Sequence, residues 1–314
     1  MLNLPTVDKL DPEGKSVLVR GEFNVDDGNN ARADSIREIV KYLQSKNAAN
    51  IKVIGHTETE YNLASQLRNE FPGIEFDNRL RDNPGEKNND IDFAKGLAEG
   101  WNVYVNEAFA TSHRSHASFI NLPKVIKENG GGVCIGPRFA AEVENLSKIF
   151  VTPKSPVIMV ISGLKEDKLS YVESFTKFAD AILIGGRLPE VILSTNYKLP
   201  STNILVADLI ADKEDITIHS IEKFEAVIEK AGTIVVSGPL GKFEDEGHRQ
   251  GTERVFRAIV NNKNAFKVAG GGDTEEAIRL LSTVDGFSWI SVGGGAMLEF
   301  LANGTLPGIE ALKV

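Results

Sequence analysis

The sequence predicts an α/β protein built on parallel sheets and divided in two near residue 150. Three observations carry this. Short apolar runs alternate with helical patterns from end to end, several runs are unbroken Val/Ile/Leu stretches, and Pro153 and Pro156 interrupt the middle of the chain. Strands covered by helices on both faces need apolar side chains on both, which gives continuous runs. Strand–helix alternation in turn gives parallel strand order. Strand-like runs fall at residues 16–20, 51–55 and 102–106 before the break, then at 156–162, 181–185, 203–207, 233–237, 266–269 and 288–292. Between them, apolar residues at helical spacing predict helices over 35–45, 62–70, 91–99, 140–149, 171–178, 221–230, 248–260 and 274–281. The helix ending at Phe150 must stop ahead of the two prolines.

Composition narrows the class of function. The 314 residues are 41% hydrophobic and 25% charged, the balance of a globular protein long enough for two domains. A net charge of −9 argues against nucleic acid or an anionic membrane as partner, while leaving room for a local basic site that takes a small anion. The single cysteine, Cys134, fits a reducing compartment and a buried structural role. No apolar run approaches membrane-spanning length and the first residues carry no secretion signal, so a cytoplasmic protein is expected.

The two halves differ in chemistry. Before the break, Arg20, Arg37, Arg81 and Arg114 stand at strand ends or loop openings, with His56 ending a strand and His113 and His116 flanking Arg114. Arginine offers a rigid donor fork for carboxylate or phosphate, and α/β sheets present ligands at strand C-termini. The histidine spacing gives no metal pattern and no nucleophile elbow is present. After the break come glycine turns. Gly270-Gly271-Gly272-Asp273-Thr274 opens a helix, and Gly293-Gly294-Gly295 repeats the device. Consecutive glycines let backbone N–H groups approach an anion at a helix N-terminus, and Asp273 adds a hard oxygen suited to magnesium. On residues alone, the turn reads equally as a helix cap by Asp273 or Thr274. Lys165 and Lys168 follow another strand and Gly163. A P-loop and a GxGxxG fingerprint are both absent.

Six strings, in order, resemble the phosphoglycerate kinase family: LVRGEFNV, LRDNPGEKNND, VYVNEAFATSHRSHAS, SGPLGKFE, GGGDT and SVGGGAMLEFLANGTLPGIEAL. The resemblance implies two Rossmann-like domains, each a parallel sheet flanked by helices, facing across a cleft. Residues 1–150 would form a 3-phosphoglycerate domain, 151–295 a nucleotide domain, and 296–314 would return to the first. It implies reversible phosphoryl transfer between ATP and the carboxylate of 3-phosphoglycerate, giving 1,3-bisphosphoglycerate and ADP, with Mg2+ as cofactor. A monomer in glycolysis and gluconeogenesis is expected. By position, Arg20, Glu22, Asn24, His56, Arg81 and Arg114 match substrate contacts. Arg37 matches the arginine that reaches the transferring phosphoryl group if no gap follows Asn24, and Arg32 does if the gap falls earlier. Gly163, Lys165, Lys168, Gly186, Gly238, Pro239, Glu244, Gly270, Gly271, Gly272, Asp273 and Thr274 match the nucleotide site. Asp273 engages the metal, and Arg37, Lys165, Gly272 and Gly295 take the catalytic places.

The chain departs from the family pattern where Thr59 stands for an arginine between acids in HTETE, and where Glu22 and Glu107 stand for aspartates. Ala110 and Ser162 replace glycines, Ser237 an asparagine and Met297 a serine, and the Lys165 to Lys168 spacing is one residue short. The chain is also shorter than familiar members. These departures leave open a same-fold kinase of low or altered activity on another carboxylate, or a noncatalytic nucleotide-binding descendant.

Overall fold

The computed structural model describes residues 4–313, and its strands form two parallel sheets. The first holds β1 (Ser16–Arg20), β2 (Asn50–Ile54), β3 (Glu75–Asp77), β4 (Val103–Asn106) and β5 (Gly132–Ile135) in the order β3-β2-β1-β4-β5. Its direction of growth reverses between β1 and β4, where Arg20 pairs in register with Asn106. Val17 and Val19 of β1 pack with Ile36, Ile39, Val40 and Leu43 of the helix Ala31–Ser45. That helix starts earlier than its apolar period suggests, because the Asn30 side chain accepts the Arg32 N–H at 2.9 Å and caps it. The sequence predicts no strand at β3 or β5, because β3 holds a single apolar residue, Phe76, between two acids and β5 opens on the last of three consecutive glycines.

The second sheet holds β6 (Val157–Ile161), β7 (Ala181–Ile184), β8 (Ile204–Val206), β9 (Thr233–Ser237), β10 (Phe266–Gly270) and β11 (Trp289–Ser291) in the order β11-β10-β9-β6-β7-β8. β6 and β9 are buried along their whole length, which explains their unbroken apolar runs. Val160, Leu183, Ile234 and Val236 meet Phe224 and Ile228 of the helix Ile218–Ile228, and Val255, Phe256 and Ile259 of the helix Gln250–Asn261. The order runs outward from β6 to β8, then returns beside β6 with β9. A crevice opens at such a switch, outside the strand C-termini.

The chain forms two compact units, one running to Glu144 and resuming at Thr305, the other spanning Asn145–Gly304. The division falls inside the helix Pro137–Val151, ahead of the prolines expected to mark it. Residues 296–303, expected to start the returning segment, lie instead in the helix Gly294–Asn303 of the second unit, which ends on Gly304 in the left-handed conformation. The Gly308 N–H then donates to the Ser112 carbonyl at 2.9 Å, seating the helix Pro307–Lys313 in the first unit. Residues 1–3 and 314 of the expected ranges lie outside the described residues.

Candidate functional site

In the second unit the expected residues gather at the β6/β9 switch. Each strand leads to a serine and then a glycine of positive φ: Ser162-Gly163 (φ 96°) and Ser237-Gly238 (φ 105°). Lys168 Nζ donates to both serine carbonyls, at 2.6 Å and 3.1 Å, and so bridges the switch. Burial pulls its ammonium down to about 8, while the Asp273 carboxylate acts in the opposite direction. Lys165, in contrast, is exposed.

β10 ends in Gly270, and Gly271 (φ 110°) leads directly into the helix Gly272–Leu280. The Thr274 hydroxyl donates to the Gly270 carbonyl at 3.0 Å and accepts the Gly238 N–H at 2.8 Å, tying the two glycine turns together. Gly272 and Asp273 face solvent in the first turn, and Gly295 does so in the first turn of the helix Gly294–Asn303. Unpaired N–H groups and the helix dipole favour an anion at both places.

A cavity of about 530 Å³ lies at this end of the sheet, lined by Gly163, Gly186, Pro239, Glu244 and Asp273 from the expected set. Its volume suits a small-molecule ligand. Arg187, Lys213, Glu214 and Lys242 line it too, and sequence reasoning missed all four. The only local hint at Lys213 is its left-handed backbone (φ 64°), which no motif signals. Among the described residues no group of three or more His, Cys, Asp or Glu could hold a metal. Asp273 alone does fit magnesium arriving on nucleotide phosphates, because Mg2+ commonly takes one or two protein carboxylates and fills its shell with phosphate and water.

The turn geometry gives a stability prediction. A Cβ at Gly238 would stand 2.0 Å from the Ser162 carbonyl oxygen, whereas one at Gly272 meets nothing within 4 Å. Gly238→Ala should therefore cost roughly 3 kcal/mol in urea unfolding, and Gly272→Ala about 0.5 kcal/mol or less in either direction. Equal costs at the two positions would contradict this reading of the turn.

In the first unit the expected residues follow the C-termini of parallel strands. Arg20 is fully buried: its Nε donates to Ser118 Oγ (3.1 Å), Nη2 lies 3.0 Å from His56 Nδ1, and the guanidinium sits 4.5 Å over the Phe119 ring. Burial, reinforced by Arg20 and Arg114, pushes His56 down to about 2, so it stays neutral and can accept from Arg20. Glu22 is buried, accepts the Thr111 hydroxyl on Oε2 at 2.9 Å, and has no partner at Oε1. Asn24 accepts the Glu58 N–H on Oδ1 at 2.7 Å. Arg81 pairs with Glu58 through Nη1, while its Nε and Nη2 are buried without a partner. Arg114 is half-buried, and Nδ1 of both His113 and His116 is buried without a hydrogen-bond partner. Buried donors left unpaired are costly, and an anionic ligand relieves that cost.

Arg37 does not join this set. It grips Glu70 through Nε (2.7 Å) and Nη2 (2.9 Å), and its Nη1 donates to Asp34 (3.0 Å) and the Gly28 carbonyl (2.8 Å). Arg32 stands in the first helical turn instead, where Nη1 donates to the Asn24 carbonyl at 2.9 Å and its charge acts on His56. The helix start at Ala31 is what separates the two arginines.

The sequence model for phosphoglycerate kinase matches residues 3–208 and 201–304. The chain belongs to the phosphoglycerate kinase family. Phosphoglycerate kinase of Haemophilus ducreyi is 31% identical over 99% of this chain and 88% of its own length. That of Mycoplasma genitalium is 28% identical over 100% of the chain and 99% of the relative. Solved phosphoglycerate kinases from Coxiella burnetii and Pyrococcus horikoshii share the fold, both with a TM-score of 0.80, at 23% and 24% identity over 99% of the chain and 99% and 98% of their own. Membership makes the chain a phosphotransferase with a carboxyl group as acceptor, of a family that uses ATP and ADP.

Proposed function

We propose that this chain transfers the γ-phosphoryl group of ATP to the carboxylate of 3-phosphoglycerate, reversibly, through residues of both units. The observation that carries this is the pairing of chemistries at the strand C-termini: in the first unit the buried Arg20 at the end of β1 and Arg81 after β3, the latter with two unpaired donor nitrogens, and in the second the glycine turns and the helix N-terminus at Gly272. In this reading the first unit binds 3-phosphoglycerate and the second the nucleotide.

The acceptor carboxylate is already ionised at neutral pH, so the reaction needs no general base. It needs alignment and neutralisation of charge. Arg20, fixed by Ser118 and Phe119, presents a preset cation beside neutral His56. Arg32, held at the Asn24 carbonyl, takes the place at the transferring phosphoryl group. Lys168 and the first turn at Gly272 supply positive charge on the nucleotide side. Asp273 would hold magnesium, which when bound neutralises phosphate charge.

The reading requires no second copy of the chain, and a monomer is proposed. The lone cysteine, Cys134, is free and buried and supports a cytoplasmic setting. No helix among the described residues is long and apolar enough to cross a membrane.

A coupled assay of ATP consumption tests the reading. Turnover should require 3-phosphoglycerate, and its absence with ATP still bound would leave a nucleotide-binding protein. The pH profile adds a sharper check. Lys168 loses its charge as pH rises through about 8. The kcat/KM for ATP should therefore fall above that pH, since this ratio reports the free enzyme. Lys168→Arg should move that limb upward, and a profile flat to pH 9.5 would remove Lys168 from phosphate binding.

A further inference from the structure

The loop after β2 carries an anion of its own into the substrate site. Backbone bonds from Leu80 to Gly55 (3.0 Å) and from Thr57 to Asn78 (3.2 Å) lay residues 78–81 beside residues 55–57. Thr59 pins the loop, with its hydroxyl donating to the Val25 carbonyl at 2.6 Å and lying 3.1 Å from the Thr57 hydroxyl. Glu58 is thereby presented to two candidate substrate residues at once. Its N–H occupies Asn24 Oδ1 and its carboxylate pairs with Arg81 Nη1. The partners are unequal: the Arg81 side chain is 10% exposed and that of Glu58 is 56% exposed. Arg81 cannot leave, but Glu58 can swing into water at little cost. The two buried donor nitrogens of Arg81 that Glu58 leaves unpaired, Nε and Nη2, mark capacity for a larger anion.

We infer that Glu58 is an internal competitor for the anionic group of the substrate, and that it sets the affinity of the first unit by occupying the Arg81 fork. The inference rests on the proposed function for the identity of the substrate and on local geometry for the competition. An incoming phosphate or carboxylate takes over the Arg81 donors while Glu58 turns outward. No bond is made or broken, so the effect falls on KM and leaves kcat in place.

The test compares the parent with Glu58→Gln and with Glu60→Gln, which removes the same charge from an exposed neighbour. Glu58→Gln should lower KM for 3-phosphoglycerate about fivefold, the scale of one partly exposed ion pair, and tighten calorimetric binding of inorganic phosphate to a similar degree. Glu60→Gln should do neither. The gain should vanish when Arg81→Gln is added, as expected for residues that act through one contact. Equal effects of Glu58→Gln and Glu60→Gln, weaker phosphate binding in Glu58→Gln, or a gain that survives Arg81→Gln would each overturn the inference. So would failure of all three proteins to bind phosphate. If none turns over 3-phosphoglycerate, the proposed function fails, and phosphate binding still decides the role of Glu58.

Discussion

Arg32→Ala should lower kcat by about 10³-fold, the lower end of what an arginine at a transferring phosphoryl group contributes, while Arg37→Ala should leave kcat within about threefold. The difference follows from where each guanidinium is committed. Arg37 is engaged by Glu70, Asp34 and Gly28, and the Glu70 hydrogen bond, ahead of other causes, raises its pKa. Removing it frees Glu70 on a half-exposed surface, a change expected to register in stability, by about 1 kcal/mol. Arg32 sits instead at the first turn of its helix, beside Asn24 and within electrostatic reach of His56. It has the length and the neighbours to meet an incoming phosphoryl group. Steady-state kinetics at saturating substrates, with urea unfolding on the same proteins, separates the two effects. A large loss from Arg37→Ala with little from Arg32→Ala would reverse the assignment.

Asp273→Asn should lower kcat/KM for Mg-ATP by about 10²-fold, the scale of removing one preorganised electrostatic partner. Asp273 is exposed in the first turn of its helix and lines the cavity, so nothing in the core depends on it. The substitution keeps shape and one oxygen donor and deletes the charge. The deficit should shrink as free magnesium is raised, because a weakened metal site is refilled by mass action. A deficit independent of magnesium would place Asp273 outside the metal's reach. The unfolding midpoint should stay with that of the parent. A large drop would point to a structural capping role for the carboxylate.

What the sequence made legible follows from where its signals are strongest. The buried strands β1, β6 and β9 announce themselves as continuous apolar runs, and the glycine turns after β6, β9 and β10 as chain geometry that side chains cannot adopt. Gly238 shows why, with the Ser162 carbonyl where its Cβ would be. The roles of Arg32 and Arg37 were not separable in the sequence, since both match at a one-gap difference. The choice turns on Asn30 capping a helix whose apolar period begins only later. Arg187, Lys213 and Glu214 were illegible for another reason. They join the cavity through tertiary placement of loops, held by pairs such as Arg187 with Glu214 at 3.1 Å and Lys213 with Glu190 at 2.7 Å. Thr59 reads in sequence as a lost cation, and in the structure as the pin that sets Glu58 against Arg81.

The most direct test of carboxyl phosphorylation is to trap its product. An acyl phosphate reacts with hydroxylamine to give a hydroxamate, whereas a phosphate ester does not. Purified protein given Mg-ATP, 3-phosphoglycerate and hydroxylamine should form hydroxamate and ADP in equal amounts, with neither appearing when 3-phosphoglycerate is omitted. ADP released without hydroxamate, or no ADP at all from a folded, nucleotide-binding protein, would contradict the account.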